Sequence, residues 1–192
     1  MKCAKCTSKK CHSEGQNCTK ITPENIKEAY QGERLTIMNA AACTEGRHYN
    51  SFTRLEETAD FCKLMGYKKI GLAFCFGLNP EAALIEKYFS QFFEVYSTCC
   101  KVCGMSKEEL NLEQIQAGAR ETMCNPVMQA KLLADNGVEF CVNIGLCVGH
   151  DALFTGACTV PTTCLVVKDR VLAHNPLGAV YSRYWRKKLG IE

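Results

Sequence analysis

Val138-Glu139-Phe140-Cys141-Val142-Asn143-Ile144-Gly145-Leu146-Cys147-Val148-Gly149-His150-Asp151 reads as a strand, a glycine turn and the opening of a helix. The apolar run Val138 to Ile144 has strand length and stops at Gly145. Cys147 stands in the turn, and Gly149 leads into His150, Asp151 and a helix-like segment to about Thr155. A thiol between a strand's C-terminal end and a helix's N-terminal end meets outward-pointing backbone N–H groups, which favour its thiolate. The thiolate is the form that ligates metal or attacks an electrophile.

Working outward, the same strand-then-helix rhythm repeats. Thr22-Pro23-Glu24-Asn25 caps a short helix to about Tyr30. Leu35 to Ala42 has the length and apolarity of a strand. Arg54 to Met65 carries apolar residues at helical spacing and is closed by Gly66. Lys69 to Phe76 is a second apolar run, Asn79-Pro80-Glu81 caps a helix through Phe89, and Phe93 to Ser97 is a third strand. Region 101–123 is polar, with short helices expected around Ser106 to Glu109 and from Leu112 to Ala119. Asn125-Pro126 opens a helix to Asp135, which feeds the Val138–Ile144 strand. Thr163 to Val167, a turn at Lys168-Asp169-Arg170, a short strand Val171 to Ala173 and a C-terminal helix complete the chain. Strands alternating with helices predict a three-layer α/β domain with a mostly parallel, Rossmann-like sheet over residues 21–192. Such sheets bind ligands beyond the carboxyl ends of their strands. Cys75, Cys100 and Cys147 each fall just beyond a predicted strand, and Cys124 directly precedes a proline-opened helix. These four predict a cysteine-lined pocket at one edge of the domain.

Residues 1–20 are different. Cys3-x2-Cys6-x4-Cys11-x6-Cys18 lies among lysines and serines with almost no aliphatic residues, so apolar burial cannot order it. Four thiolates on a tight loop suit tetrahedral Zn2+ or a [4Fe–4S] cluster, and spacing does not choose between them. The prediction is a small cysteine knuckle over residues 1–20.

Composition sets the class. The chain has 192 residues, a formal net charge of +3 and 15 cysteines. That charge gives no argument for nucleic acid, and the basic run Arg183 to Lys188 reads as the solvated end of a helix. The uncharged run Ala152 to Val167 is too short and too broken for a membrane span. No secretory h-region follows Met1, so a cytoplasmic location is expected, where thiols serve metal or redox chemistry rather than disulfides. Thiols so numerous are oxygen-sensitive, which suggests an anaerobic host. Free cysteine is also a common core residue, and Cys62, Cys141, Cys158 and Cys164 are assigned to the core. No GxGxxG after the first strand, GxxxxGK[ST], GxSxG or HExxH pattern is present.

Several blocks together carry a resemblance: Met1-Lys2-Cys3-Ala4-Lys5-Cys6, Ala73-Phe74-Cys75-Phe76-Gly77-Leu78, Cys100-Lys101-Val102, Cys124-Asn125-Pro126-x2-Gln129-Ala130, Gly145 to Asp151, and Lys168 to Pro176. The chain resembles the DUF1847 family, whose members are cysteine-rich and taken to bind metal. The resemblance implies metal binding and names no reaction. It groups Cys3, Cys6, Cys11 and Cys18 as one set, and Cys75, Cys100, Cys124 and Cys147 as a second. Cys103 stands where the family pattern has glycine, so it is set aside as a ligand.

The expectation is a metalloprotein with a [4Fe–4S] cluster on Cys100, Cys124 and Cys147, and Cys75 as fourth ligand or free thiol. The N-terminal group would hold Zn2+ or a second cluster. His150 and Lys168 would then face a small sulfur-containing or anionic substrate, as in desulfuration, or the centre would pass electrons to a partner. Two other readings stay open: a zinc-binding module without catalysis, and a metal-free thiol enzyme with Cys147 as nucleophile and His150 as base.

Overall fold

The computed structural model describes residues 1–191. Its internal contacts divide the chain after Cys43, and the division falls inside one helix, Glu33–His48.

The first part, Met1–Cys43, holds helices α1 (Lys10–Ser13), α2 (Pro23–Ala29) and most of α3 (Glu33–His48). Thr22 caps α2, its Oγ1 accepting the Asn25 N–H while Asn25 Oδ1 accepts the Thr22 N–H, with Pro23 at the first helical position. Ala40 is its one buried residue, so apolar burial contributes little here. The strand expected over Leu35 to Ala42 is α3 instead. Ala40-Ala41-Ala42 are the strongest helix formers, and only Thr36 and Ile37 in that run are β-branched.

From Thr44 onward a parallel sheet organises the chain. Helix α4 (Arg54–Leu64) precedes β1 (Lys69–Phe74), α5 (Asn79–Phe89), β2 (Glu94–Cys99), α6 (Pro126–Asp135), β3 (Phe140–Ile144), α7 (His150–Ala157) and β4 (Thr162–Val166). The four strands are all parallel in the order β2-β1-β3-β4. The central strands are apolar on both faces, as a sheet covered on both sides requires. Ile70, Leu72 and Phe74 of β1 and Phe140, Val142 and Ile144 of β3 pack with α4 and α5 residues Ala59, Cys62, Ala82 and Phe89. Ala73 and Cys141, on the other face, pack with Ala130 and Leu133 of α6 and Phe154 of α7. Helices therefore cover both faces, which is the three-layer α/β arrangement.

Each fully buried side chain of this set, such as Leu72, Val142, Leu133 or Phe154, contributes about 1.5–3 kcal/mol over its exposed state. Gly71 lets α6 approach closely, because a Cβ there would sit 3.0 Å from the Leu133 methyls. Glu139 ties the strand starts together, its carboxylate accepting the N–H groups of Lys68 at 2.6 Å and Lys69 at 2.9 Å.

Three other expectations change. The strand placed at Val171 to Ala173 is a turn: Asp169 Oδ1 accepts the N–H groups of Val171 and Leu172 at 2.9 Å, and Ala173 and His174 take positive φ. Residues 112–119 form irregular loop, and this region holds the short 3-10 helix Lys107–Leu110. The C-terminal helix is two short ones, α8 (Gly178–Tyr181) and α9 (Arg183–Lys188), broken where Ser182 is extended. Among the described residues, no helix is long and apolar enough to cross a membrane.

Candidate functional site

The strand order places a topological switch point between β1 and β3, where the chain runs outward to β2 on one side and to β4 on the other. Ligands of doubly wound sheets bind at the carboxyl end of that switch. The predicted cysteines gather there. Cys75 follows β1, Cys100 follows β2, Cys124 stands just before the Asn125 cap of α6, and Cys147 lies in the turn after β3.

Backbone bonds fix these loops before any side chain acts. The Cys75 N–H donates to Ile144 O at 3.1 Å, the Cys100 N–H to Phe74 O at 2.9 Å, and the Asn125 N–H to Cys100 O at 2.8 Å. Gln129, fully buried on α6, donates from Nε2 to Phe74 O at 3.3 Å and Thr98 O at 2.7 Å. One amide thus clamps the last turns of β1 and β2, immediately before Cys75 and Cys100.

Three of the thiols meet. Cys100 is buried, and its Sγ lies 3.8 Å from Cys124 Sγ. It accepts the Phe76 N–H at 3.3 Å and lies close enough to Cys75 for each thiol to shift the other's titration. The hydrogen bond with Cys100 holds the Cys75 thiol well below the usual thiol range, helped by the Gly77 N–H and by Lys168. Cys124 is lowered likewise, first by Cys100 and then by Lys101 and His150. Cys100, between two sulfurs and buried, is pushed upward. Cys100 is therefore the last of the three to give up its proton.

Cations surround this row. Lys101 Nζ donates to Thr122 O and lies close enough to Cys124 to hydrogen-bond with it. Lys168 stands beside Cys75, both of them flanking Gly77. His150, the first residue of α7, adds its positive influence on Cys124.

Cys147 behaves differently. Its Sγ accepts from the Arg170 guanidinium at 2.9 Å. Asn143 Oδ1 accepts the Leu146 N–H at 3.1 Å and Asp151 Oδ1 accepts the Gly149 N–H at 3.0 Å, which shapes the turn. Gly145 is essential to it, with φ +63° and a position where a Cβ would lie 2.1 Å from Leu78 Cδ1. Cys103 is exposed with φ +71°, the left-handed conformation that favours glycine.

Among the described residues, no group of three or more His, Cys, Asp or Glu side chains is closed enough to hold a metal ion. Cys3, Cys6, Cys11 and Cys18 are all exposed, and they too are not gathered into such a group. Cys6 is lowered by the Lys9 N–H and by Ser8.

The donor chemistry nonetheless suits a thiophilic metal. With metal–sulfur bonds of about 2.3 Å, a tetrahedral ion spaces its thiolates by roughly 3.8 Å. The Cys100–Cys124 separation matches that edge. A cubane cluster attaches each thiolate to a different iron and needs them farther apart.

Sequence reasoning missed Lys101, Gln129 and the pairing of Cys147 with Arg170. Lys101 was legible as the neighbour of Cys100, whereas Gln129 carries no sequence signal of its role, since one buried amide in an amphipathic helix looks like any polar position.

A family model described as a protein of unknown function, DUF1847, matches residues 13–165. A chain from Methanocaldococcus jannaschii, described as an uncharacterized protein, is 48% identical over 190 residues, covering 98% of each chain. The matched family segment contains the whole cysteine row, the Cys147 turn and all four strands but β4's last residue. The chain belongs to the DUF1847 family.

Proposed function

We propose that this chain is a thiolate metalloprotein whose centre is built on Cys75, Cys100 and Cys124 at the switch point of the sheet. The observation that carries the reading is the 3.8 Å approach of Cys100 to Cys124 under the Phe76 N–H, with Cys75 beside them at the same strand edge. The Cys100–Cys124 spacing suits one tetrahedral ion such as Zn2+, with Cys75 as its third thiolate. A [4Fe–4S] cluster on the same thiols would part Cys100 from Cys124. Three protein thiolates leave one metal position open, and Lys168, His150 and Lys101 around it favour a small anionic or sulfur-containing ligand. In that setting Lys168 holds negative charge, and His150 is the group that can donate or take up a proton. Cys3, Cys6, Cys11 and Cys18 would hold a second, structural centre, since their segment has no apolar core to order it.

A second reading is favoured by Cys147 and Arg170. A thiol 2.9 Å from a guanidinium, in a turn opening a helix, is set up as a nucleophile. In that reading the reaction is thiol chemistry and the sulfur row is structural.

The test is iron, zinc and acid-labile sulfide content with a visible spectrum, on full-length protein purified without oxygen, beside Cys100→Ala. Zinc falling by about one equivalent in the variant assigns a mononuclear centre. About four irons and four sulfides lost with the brown colour assign a cluster. Equal metal in both proteins overturns the reading. Stoichiometric alkylation of Cys147 in such metal-indifferent protein then supports the thiol enzyme.

A further inference from the structure

A second thiol pair lies away from the cysteine row. Cys141, on β3, is 1% exposed and faces α6 and α7. Cys158 is the residue that ends α7, half-buried, with its N–H on Phe154 O at 3.0 Å. The chain then turns back at Pro161, whose carbonyl accepts the Cys141 N–H at 3.0 Å, and β4 begins with Thr162 opposite Cys141. The turn therefore brings Cys158 back over the strand position of Cys141. Cys158 packs against the cluster that holds Cys141 with Ala73, Leu146 and Phe154, and the two thiols are close enough for each to shift the other's titration.

We infer that Cys141 and Cys158 form a peroxide-responsive dithiol, closing to a disulfide that ties the end of α7 to β3. The division of labour follows from burial: Cys158 meets solvent, and Cys141 waits behind it. Cys158 as thiolate attacks one oxygen of a hydroperoxide. The O–O bond breaks, the departing oxygen leaves as water after taking a proton, and Cys158 becomes a sulfenic acid. The Cys141 sulfur then attacks the Cys158 sulfur, the S–O bond breaks, and a second water leaves with the Cys141 proton. Two thiols lose two electrons, and one peroxide becomes two waters. The Cys158 thiol is already lowered to about 7 by its hydrogen bond with Cys141, against the cost of burial. The closed loop spans α7 and the Gly145–Gly149 turn, so oxidation would lock the segment that carries Cys147 and His150.

The experiment treats anaerobically purified, metal-analysed protein with equimolar hydrogen peroxide, blocks free thiols, and maps peptides without reduction. A Cys141–Cys158 linked peptide, lighter by two hydrogens and reopened by dithiothreitol, is expected. Cys158→Ser protein should lose that peptide and leave Cys141 unmodified, and Cys141→Ala should carry Cys158 on to sulfinic acid. Linkage of Cys100 to Cys124 in its place, or sulfinic acid at Cys158 in the unmutated chain, overturns the inference. Metal content in the same sample separates this outcome from the fate of the cysteine row.

Discussion

Gly145 joins a backbone requirement to a packing requirement. Its φ of +63° disfavours any side chain, and a Cβ would overlap Leu78 Cδ1. Gly145→Ala should lower the unfolding free energy by about 2–4 kcal/mol, summing left-handed strain with overpacking. Urea denaturation checks this, and an unchanged midpoint would refute the account. Cys158 gives a pH test. Its ordinary thiol would ionise near 9.0, and the hydrogen bond from Cys141 lowers it to about 7. A lowered value means that the thiolate, the labelled form, persists until pH falls through about 7. The iodoacetamide rate at Cys158 should therefore rise with a midpoint near 7. In Cys141→Ala the midpoint should move up, because the donor is gone. At this scale the sequence was a fair guide to the row: Cys75, Cys100 and Cys124 were placed together from their position after strands or before a capped helix. It was a poor guide to Cys141 and Cys158, read only as core. Alternation shows that Cys141 faces inward, but not that the turn at Pro161 returns Cys158 to it.

Elements with strong local signals were legible. Pro23, Pro80 and Pro126 near helix starts, and the largely apolar run that ends at Gly145 for β3, located their elements within a residue or two. Helix α3 was misread because a run of Leu, Ile and Ala is apolar at every spacing, so period does not separate strand from helix there. The turn after β4 was misread because Val171-Leu172-Ala173 looks like a strand, whereas the Asp169 carboxylate already holds two of its N–H groups. The first 20 residues are the element whose order depends most on what binds it, having no buried residue. Limited proteolysis should cut at Lys5, Lys9, Lys10 or Lys20 in chelated protein and spare them after Zn2+ is restored. Equal cleavage in both states would leave the N-terminal cysteines without a metal role.

At the scale of the whole molecule, the three-layer α/β architecture was readable from the alternation of strands and helices, and the sheet proved wholly parallel. The site followed from topology, since cysteines distant in sequence share one carboxyl edge. A choice between zinc and an iron–sulfur cluster for the proposed centre is not legible in the sequence, because both draw on the same residue type. The two cysteine groups differ in how far apart their members are along the chain. The N-terminal four fit within residues 3–18, whereas Cys75, Cys100 and Cys124 come from three loops whose meeting requires β1, β2 and α6. That difference sets an order in time. On the proposed reading, the N-terminal group would be loaded while the rest of the chain is still being synthesised, and the metal would then start the folding of its segment. The proposed centre on the cysteine row could not be loaded until the sheet exists, so its metal would arrive last. In cells short of metal, newly made chains would therefore accumulate with a finished sheet and an unfilled pocket, ready to be activated without refolding.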